Sequence, residues 1–326
     1  MSQLLINQLA LREFRGIRIS QPINLSKFTV LIGRNNSGKT AILEALSLLP
    51  PTAIIPTLNE TRIDLVASLH GGKSSLVYGY SGKATINYKL YQREVHLELT
   101  AYGAIDIAIG GEKIPSEQYL QALSRAMRVD EESLPDLILF IPNDTRIMRE
   151  LQRNLTSERE WSKVVKSGAN TTTIKELVNP TVNDKFTEAL IEREDIRLRK
   201  ELPDGKVLYV KIADVGDGIE RVLTTALWLE SRKPKLILWD DIEASAHPGL
   251  IEALIRWLAN KPWQIVITTH SIDVLDRIVA VQPKDTKIIA LQKTPDDEVK
   301  AKTLTLDQVE DMLNKNIDLR KITDLL

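Results

Sequence analysis

The sequence predicts an α/β protein in which a mostly parallel core sheet is joined to an antiparallel β subdomain and a short helical lobe. Three observations predict this class. Near the amino terminus, an apolar strand is followed by a glycine-containing loop and then by a helix. The last third of the chain repeats short apolar segments separated by helical patterns, which is typical of parallel strands covered on both faces. Between these regions the residues alternate in polarity, which indicates antiparallel strands.

The first elements are two strands and a helix. Leu4 to Phe14 and Phe28 to Ile32 have the apolar pattern of strands, and Ala41 to Leu49 has apolar residues at helical spacing. A second helix is expected near Arg62 to Leu69. Residues Leu76 to Ile109 alternate in polarity between glycines, so we expect antiparallel strands there.

The middle of the chain combines a buried strand with a polar helical region. An amphipathic helix is expected around Ser116 to Met127, and the apolar segment Leu137 to Ile141 predicts a buried strand that ends at Pro142. Residues 144–194 are polar and mostly helical in character, without sustained heptads. We therefore expect a helical lobe there, inserted between the two halves of a single domain that spans residues 1–326.

The last third predicts a hairpin followed by alternating helices and strands. Ile196 to Leu202 and Lys206 to Ile212 flank Pro203-Asp204-Gly205, and an Asp-Gly pair favours a tight hairpin turn. Three helices alternate with three strands from Gly218 onward. The strands of this series are Leu236 to Trp239, Ile265 to Thr268 and Lys287 to Leu291.

The composition excludes several kinds of site. The chain has 326 residues, with 43 Lys and Arg against 44 Asp and Glu, so its formal net charge is −1. It has no cysteine and 4 histidines, which excludes disulfides, thiolate zinc sites and iron–sulfur clusters. The first residues lack the pattern of a signal peptide, and no apolar run approaches the length of a spanning helix. We therefore expect a cytoplasmic protein without a membrane partner.

The strongest functional motif is Gly33 to Thr40, which matches G-x-x-x-x-G-K-[ST] between a predicted strand and a predicted helix. Glycines at both ends let the backbone N–H groups surround a phosphate, and the helix adds the positive end of its dipole. Lys39 is expected to reach the β- and γ-phosphates, and Thr40 to supply a hydroxyl for Mg²⁺. The motif therefore predicts a phosphate-binding loop.

Two later strands end in residues that complete such a site. Leu236 to Trp239 is followed by Asp240, where a buried parallel strand would place a magnesium carboxylate, and then by Asp241. The strand Ile265 to Thr268 ends near His270, whose neutral imidazole can hydrogen-bond the γ-phosphate. The loop and these two strand ends therefore predict one site.

These motifs together resemble the ABC-type ATPase heads of the SMC, RecF and OLD group, and within it the compact prokaryotic AAA-like ATPases of the AAA_15 and AAA_21 type. Leu9 to Ile17 is similar to the strand and turn in which the group has an arginine close to the nucleotide, here Arg15. Asp240 to Pro248 resembles the magnesium and interface segment. Val215 to Arg221 resembles the signature loop. The resemblance covers nearly the whole chain.

The resemblance implies a P-loop NTPase fold, Mg²⁺-dependent ATP hydrolysis and a defined set of site residues. The implied catalytic residues are Asp241, His270 and Lys39. Thr40 and Asp240 are the implied magnesium ligands. Signature loops of this group act across a dimer, so a second copy would complete the ATP site. The implied ATP contacts are Arg15, Gly33, Asn35, Asn36, Ser37, Gly38, Lys39, Thr40, Ala41, Gly216, Asp217 and Gly218.

The chain departs from the pattern of the group at several of these positions. Asp241 stands where the group has its catalytic glutamate, Ile242 where it has a proline, and Gly216 where it has the signature serine. A glutamine that touches the magnesium should follow the buried strand of the middle region, and Asn143 and Asp144 stand there instead. These changes predict slow hydrolysis and leave open which residue replaces the glutamine.

The implied function is a RecF/SMC-like switch that binds ATP, hydrolyses it slowly and closes as a nucleotide-sandwich homodimer, in DNA repair, maintenance or defence. DNA and a partner protein such as a nuclease subunit are the candidate partners. Arg197, Arg199 and Lys206 are the best local candidates for DNA contact, although a solvated strand face explains them equally well. The alternative is a non-hydrolysing, nucleotide-gated adaptor or regulatory subunit. A membrane-transporter motor is disfavoured, because its glutamine and signature motif are absent.

Overall fold

A long mixed sheet organises the fold. The structure, a computed structural model, describes residues 4–91, 93–315, 317 and 319. The strands in this part of the chain are β1 (Ile6–Phe14), β2 (Ile17–Ser20), β3 (Ile23–Asn24), β4 (Phe28–Ile32), β5 (Ile54–Ile55), β6 (Glu60–Thr61), β7 (Lys83–Leu90), β8 (Arg93–Thr100), β9 (Ile105–Ile109), β10 (Glu112–Ile114), β11 (Ile138–Ile141), β12 (Phe186–Glu192), β13 (Asp195–Glu201), β14 (Val207–Lys211), β15 (Leu236–Trp239), β16 (Gln264–Thr268), β17 (Thr286–Lys293) and β18 (Glu298–Leu304).

The helices cover both faces of this sheet and form the lobe. They are α1 (Lys39–Ser47), α2 (Arg62–Ser68), α3 (Tyr119–Met127), α4 (Leu134–Leu137), α5 (Thr145–Leu155), α6 (Glu158–Ser167), α7 (Ala169–Thr173), α8 (Asp217–Arg232), α9 (Pro248–Ala259), α10 (Ile272–Val281) and α11 (Leu306–Asn314). Local signals explain several of their starts. Asp144 caps α5 by accepting from the backbone N–H of Ile147 (2.9 Å), and Pro248 occupies the first turn of α9.

Five strands form the parallel core predicted from the sequence. They lie in the order β17-β4-β16-β15-β11, and each pair of neighbours is parallel. All residues of β4, β11, β15 and β16 are buried, as expected of a sheet covered on both faces. In the register, Thr268 pairs with Leu31, and Trp239 pairs with Ile267. The carboxyl ends of β4, β16 and β15 therefore lie side by side.

The antiparallel subdomain continues the same sheet. The strands β10, β9, β8, β7, β1 and β2 follow one another with antiparallel pairing, which confirms the strands expected between residues 76 and 109. The start of the predicted region at Leu76 is wrong, because Lys73–Leu76 and Tyr78–Tyr80 form short 3₁₀ turns and β7 begins only at Lys83. The link to the parallel core is β18, which pairs with β17 along its length and with β2 at Ile19 and Ser20 alone.

Two apolar layers pack on opposite faces of the sheet. Alternate residues of the buried strands contribute to different layers, so that Val30 and Ile32 face one side and Leu31 faces the other. One layer packs under the lobe and α8 to α10. The other packs under α1, α2 and α3. The core of the molecule therefore lies along the sheet, and the loops at the carboxyl ends of its strands stay accessible.

The lobe differs from the expected one at its end. Helices α5 to α7 and a π-helical turn at Ile174–Val178 cover residues 145–178, as the polar helical pattern indicates. Residues 186–192, however, form β12, which pairs with β13 of the predicted hairpin and makes a three-stranded sheet with β13 and β14. The expectation of a helical segment up to residue 194 is therefore wrong for this strand.

A buried glutamine ties the first strand to the parallel core. Oε1 of Gln264 accepts from the backbone N–H groups of Leu5 (3.0 Å) and Ile6 (3.1 Å). Its Nε2 donates to the carbonyl oxygens of Ile6 (2.7 Å) and Ser26 (3.4 Å). This side chain replaces the main-chain pairing that β1 and β16 do not make with each other.

No helix in the described part of the chain has the length and apolar character needed to span a membrane.

Candidate functional site

The loop between β4 and α1 is curled by its two glycines. Gly33 has a φ of 152° and Gly38 a φ of 95°, both in the region that favours glycine. A Cβ at Gly33 would lie 2.5 Å from the carbonyl oxygen of Leu291. A Cβ at Gly38 would lie 3.1 Å from Cδ1 of Ile17 and 3.3 Å from Cγ2 of Val299. Larger residues are therefore excluded, and the loop backbone keeps the tight curl that a phosphate requires.

Lys39, at the start of α1, holds its ammonium over this loop. Its Nζ donates to the carbonyl oxygens of Gly33 (3.0 Å) and Arg34 (3.1 Å) and lies 3.4 Å from Nδ1 of His270. Burial lowers the pKa of the ammonium, and the charges of three nearby carboxylates oppose that shift. These three contacts are with neutral groups, so the cation is suited to take an anionic partner.

Thr40 and Asp240 meet beside the loop. Oγ1 of Thr40 lies 3.1 Å from each carboxylate oxygen of Asp240, which directly follows β15. Oγ1 of Thr268 donates to Oδ1 of Asp240 (2.7 Å). Burial raises the pKa of Asp240 to about 6, and the charge of Asp241 adds to the rise, while the two threonine hydroxyls oppose it.

This pair of residues fits a magnesium ion that arrives with phosphates. Mg²⁺ is held by one or two carboxylates together with water and substrate phosphate oxygens. The described residues contain no group of three or more histidine, aspartate or glutamate side chains that could hold a metal ion. Thr40 and Asp240 are oxygen donors in the right place, yet they are too few to hold the ion alone. The residues present would therefore hold such an ion together with the oxygen atoms of a bound phosphate.

Asp241 lies between His270 and Asn143. Its Oδ1 is 3.5 Å from Nε2 of His270, and its Oδ2 accepts from Nδ2 of Asn143 (3.2 Å). Its backbone N–H donates to Oγ1 of Thr268 (2.8 Å), and its φ of 46° is left-handed. Because Nδ1 of His270 faces the ammonium of Lys39, we assign the imidazole proton to Nε2, which faces Asp241. A polar chain therefore runs from Asn143 through Asp241 and His270 to Lys39.

A cavity of about 300 Å³ opens above the loop. It brings together most of the predicted ATP contacts with His270. The lining residues are Arg15, Gly16, Ile17, Asn35, Asn36, Ser37, Gly38, Lys39, Thr40, Ala41, His270 and Lys293. Lys293 was not predicted. Its Nζ donates to the carbonyl oxygen of Gly16 (3.2 Å) and pairs with Asp297 (2.6 Å). The cavity is therefore bordered by three basic side chains, as an anionic ligand requires.

Arg15 reaches this cavity from the turn between β1 and β2. Its Nε donates to Oε2 of Glu44 (2.9 Å), and its Nη1 donates to the carbonyl oxygen of Ser75 (3.2 Å). Its Nη2 lies 2.9 Å from Nδ1 of His70. The sequence predicted Arg15 as a nucleotide contact, but it gave no indication of these partners.

The predicted signature residues lie elsewhere on the molecule. Gly216 precedes α8 with a φ of 122°, and both Gly216 and Asp217 are exposed. Gly218 packs against the segment after β15, because a Cβ there would lie 2.4 Å from the carbonyl oxygen of Ser245. Asp217 lines a separate cavity of about 390 Å³ together with Arg221. The structure therefore does not bring residues 216–218 to the cavity above the loop of the same chain.

Three residues near Asp241 were not placed by the sequence. Asn143 contacts Asp241, whereas Asp144 is used to cap α5. Glu243 accepts from the backbone N–H of His270 through Oε1 (2.7 Å), and its buried Oε2 has no hydrogen-bond partner. Arg221 lies close enough for the carboxylates of Asp240 and Asp241 to oppose the burial that lowers its pKa. Strand order could have indicated Asn143. It follows β11, the parallel neighbour of β15, so the two strands end at the same edge of the sheet.

The basic residues considered for DNA contact are paired with carboxylates. Arg197 pairs with Glu192 (3.0 Å), and Lys206 pairs with Asp204 (2.8 Å). Arg199 pairs with Glu201 (2.5 Å). Each of these three positive charges therefore has a carboxylate neighbour, which weakens the local excess of positive charge that phosphate binding needs.

Comparison with known proteins agrees with this geometry. The AAA_21 family model, described as "AAA domain, putative AbiEii toxin, Type IV TA system", matches residues 28–276. This range includes the loop, β11, β15 and the histidine that follows β16. No curated protein matches the sequence.

Solved Smc head domains have a similar fold. One from Pyrococcus furiosus, with an extended coiled coil and bound to the C-terminal domain of ScpA, has a TM-score of 0.61 at 14% identity over 95% of this chain and 98% of that chain. An SmcHead bound to the C-winged helix domain of ScpA has a TM-score of 0.64 at 16% identity, over 93% of this chain and 98% of that chain. The SMC head domain of Thermotoga maritima has a TM-score of 0.56 at 18% identity, over 93% of this chain and 100% of that chain. At these identities the likeness shows the fold alone.

Proposed function

The chain belongs to the AAA_21 family and has an SMC-like ATPase head fold, and we propose that it is an ATP-dependent molecular switch. In this proposal it binds ATP with Mg²⁺, hydrolyses it slowly and closes as a homodimer. The whole chain, residues 1–326, works as one ATPase unit with α5 to α7 as its lobe. The family description names a putative toxin, which favours defence over repair or maintenance as the DNA-linked process.

The observation that carries this proposal is the meeting of Lys39, Thr40, Asp240 and His270 around one curled loop. Lys39 and the loop N–H groups bind the phosphates, and Thr40 with Asp240 holds the ion. Mg²⁺, held there by Thr40 and Asp240, would supply positive charge against the phosphate oxygens. Asp241 orients the attacking water by accepting a hydrogen bond from it. His270 donates from Nε2 toward the γ-phosphate or Asp241.

Binding of Mg²⁺–ATP to a Lys39→Ala variant tests the site directly. The variant leaves the loop backbone in place but removes the buried ammonium, so we expect the affinity measured by titration calorimetry to fall at least a hundredfold. Lys89→Ala, on the exposed side of β7, is the matched control and should bind like the parent protein. Equal affinities in the parent and in Lys39→Ala would refute the site.

The position of the predicted signature loop supports closure as a dimer. Gly216 and Asp217 are exposed and lie outside the cavity of their own chain. A second copy could therefore bring its own loop at residues 216–218 and the amino end of α8 to the γ-phosphate, where backbone N–H donors are favourable. The Smc heads compared above are bound to a domain of ScpA, which supports a protein partner for this head as well.

Hydrolysis is expected to be slow because Asp241 replaces the glutamate of related heads. Its carboxylate is one methylene shorter, and a displacement of about 1 Å of a water-orienting group can cost roughly a hundredfold in rate. The alternative is an adaptor that binds ATP without turnover. Steady-state phosphate release separates the two functions: Mg²⁺-dependent release that Lys39→Ala abolishes supports the ATPase, and ATP binding with no release supports the adaptor.

A further inference from the structure

Arg15, Glu44 and His70 form a closed ring of hydrogen bonds behind the loop. Nε of Arg15 donates to Oε2 of Glu44 (2.9 Å), and Nη2 of Arg15 donates to Nδ1 of His70 (2.9 Å). Nε2 of His70 contacts Oε1 of Glu44. Since an arginine can only donate and a carboxylate can only accept, each contact is satisfied when His70 is neutral with its proton on Nε2.

The ring surrounds a carboxylate that has no access to solvent. The side chain of Glu44 is 0% exposed, and those of Arg15 and His70 are 20% and 24% exposed. A buried carboxylate is stable only when it is paired and its oxygens are hydrogen-bonded. Both oxygens of Glu44 are occupied by ring partners, so the ring fixes the orientation of all three side chains.

The ring joins three separate segments to the loop. Glu44 lies on α1 four residues after Thr40, so both residues project from the same face of that helix. Arg15 lies in the turn after β1 with a φ of 55°, and its backbone N–H donates to the carbonyl oxygen of Leu76 (3.0 Å). His70 comes shortly after α2. The position of the guanidinium is therefore set relative to the helix that carries the phosphate-binding lysine.

The guanidinium keeps donors for a ligand. Of its five N–H groups, one each is directed at Glu44, Ser75 and His70. Two remain, and Arg15 lines the cavity above the loop. A planar fork with a fixed orientation is well suited to phosphate oxygens, and pre-ordering it avoids the entropy cost of immobilising a long side chain on binding.

We propose that Glu44 and His70 are positioning residues that direct Arg15 toward the phosphates of the bound nucleotide. This inference depends on the proposed function, because it requires a nucleotide in the cavity. It goes beyond that function in assigning a role to His70, a residue outside every sequence motif of the site. His70 contacts no ligand in this scheme and acts through Arg15.

The first test compares three substitutions by titration calorimetry with Mg²⁺–ATP. His70→Leu removes the acceptor for Arg15, and we expect about tenfold weaker binding. His70→Gln can accept from Arg15 through Oε1 and donate to Glu44 through Nε2, so it should restore most of the affinity. His96→Leu, on the exposed face of β8, is the matched control and should have no effect. If His70→Leu does not fold, His70→Ala is compared with His70→Gln instead.

A double-mutant cycle separates positioning from general damage. Arg15→Lys keeps a positive charge beside Glu44 but loses the planar fork. If His70 acts through Arg15, adding His70→Leu to Arg15→Lys should weaken binding less than twofold further. In steady-state assays, His70→Leu should raise KM by the same factor as Kd and lower kcat much less.

Four results would count against the proposal. Unchanged affinity in His70→Leu, or fully additive losses in the cycle, overturns the positioning role and leaves the proposed ATP site intact. A His70→Gln variant as weak as His70→Leu also overturns it. Absence of Mg²⁺–ATP binding by the parent protein overturns the proposed function and this inference together.

Discussion

The backbone conformation at Asp241 suits an aspartate side chain. The φ of 46° places this residue in the left-handed region, which aspartate and asparagine occupy more readily than glutamate. The backbone bends there because its N–H turns back to Thr268 while the side chain reaches His270 and Asn143. This backbone conformation therefore favours the shorter acid at this strand end.

The role of Asp241 can be tested by removing its charge alone. Asp241→Asn keeps the volume and tolerates the same φ, so the fold should be retained. We expect single-turnover phosphate release to fall about a hundredfold, because the carboxylate that orients water is lost, while the Kd for ATP changes less than threefold.

Asp204→Asn, in the exposed turn of the hairpin, serves as the control for this change and should match the parent in rate. An Asp241→Asn variant as fast as the parent would mean that the water is oriented by another group.

Some residues of the site can be predicted from the sequence, and others cannot. Lys39 and Thr40 belong to a local motif, and Asp240 and His270 follow buried strands, so pattern and strand order were enough to bring them together. Glu44 and His70 could not be found in this way. They contact Arg15 from 29 and 55 residues away, and neither belongs to a motif. Such a ring depends on tertiary packing.

Among the secondary-structure elements, the buried strands were predicted most closely. β4 and β15 have the expected bounds, because a continuous apolar run between polar residues leaves little choice. β12 was missed. Its exposed and half-buried positions include two glutamates, and its partner β13 supplies the pairing that its own sequence does not indicate. Pairing with a neighbouring strand here overrides the local helical pattern.

The glutamine that ties β1 to β16 gives a prediction on stability. Gln264→Leu keeps a similar volume but leaves the backbone groups of Leu5 and Ile6 without their buried partner. We expect the free energy of unfolding, measured in urea, to fall by about 2 kcal/mol.

Gln121→Leu makes the same chemical change at an exposed position of α3 and should alter stability by less than about 0.5 kcal/mol. Equal stabilities of Gln264→Leu and the parent would show that water or another group replaces the glutamine.

For the whole molecule, we expect two copies to associate as a dimer only when the bound nucleotide carries a γ-phosphate. In the Asp241→Asn background, which preserves ATP, light scattering should detect dimers with Mg²⁺–ATP and monomers with ADP. Asp217→Trp should block the dimer, because a bulky side chain at the start of α8 would occupy the space of the partner's phosphates.

Asp204→Trp is the control for this surface change. Gly218 is unsuitable for such a test, because a side chain there would collide with Ser245 of the same chain. Dimers of equal abundance with ATP in Asp217→Trp would exclude the signature loop from the interface.

The seam between β2 and β18 has a mechanical consequence. The antiparallel and parallel parts of the long sheet meet where β2 and β18 pair at two positions, a shorter contact than the three positions that join β9 to β10 and the four that join β11 to β15. The sheet can therefore be viewed as two stiff plates that meet at a short crease, with Gln264 as a clasp farther along. Gly38 is wedged against that crease between Ile17 and Val299. We therefore expect a shift of the loop on filling with phosphate to reach this crease through Ile17 and Val299, and the two parts of the sheet to tilt there.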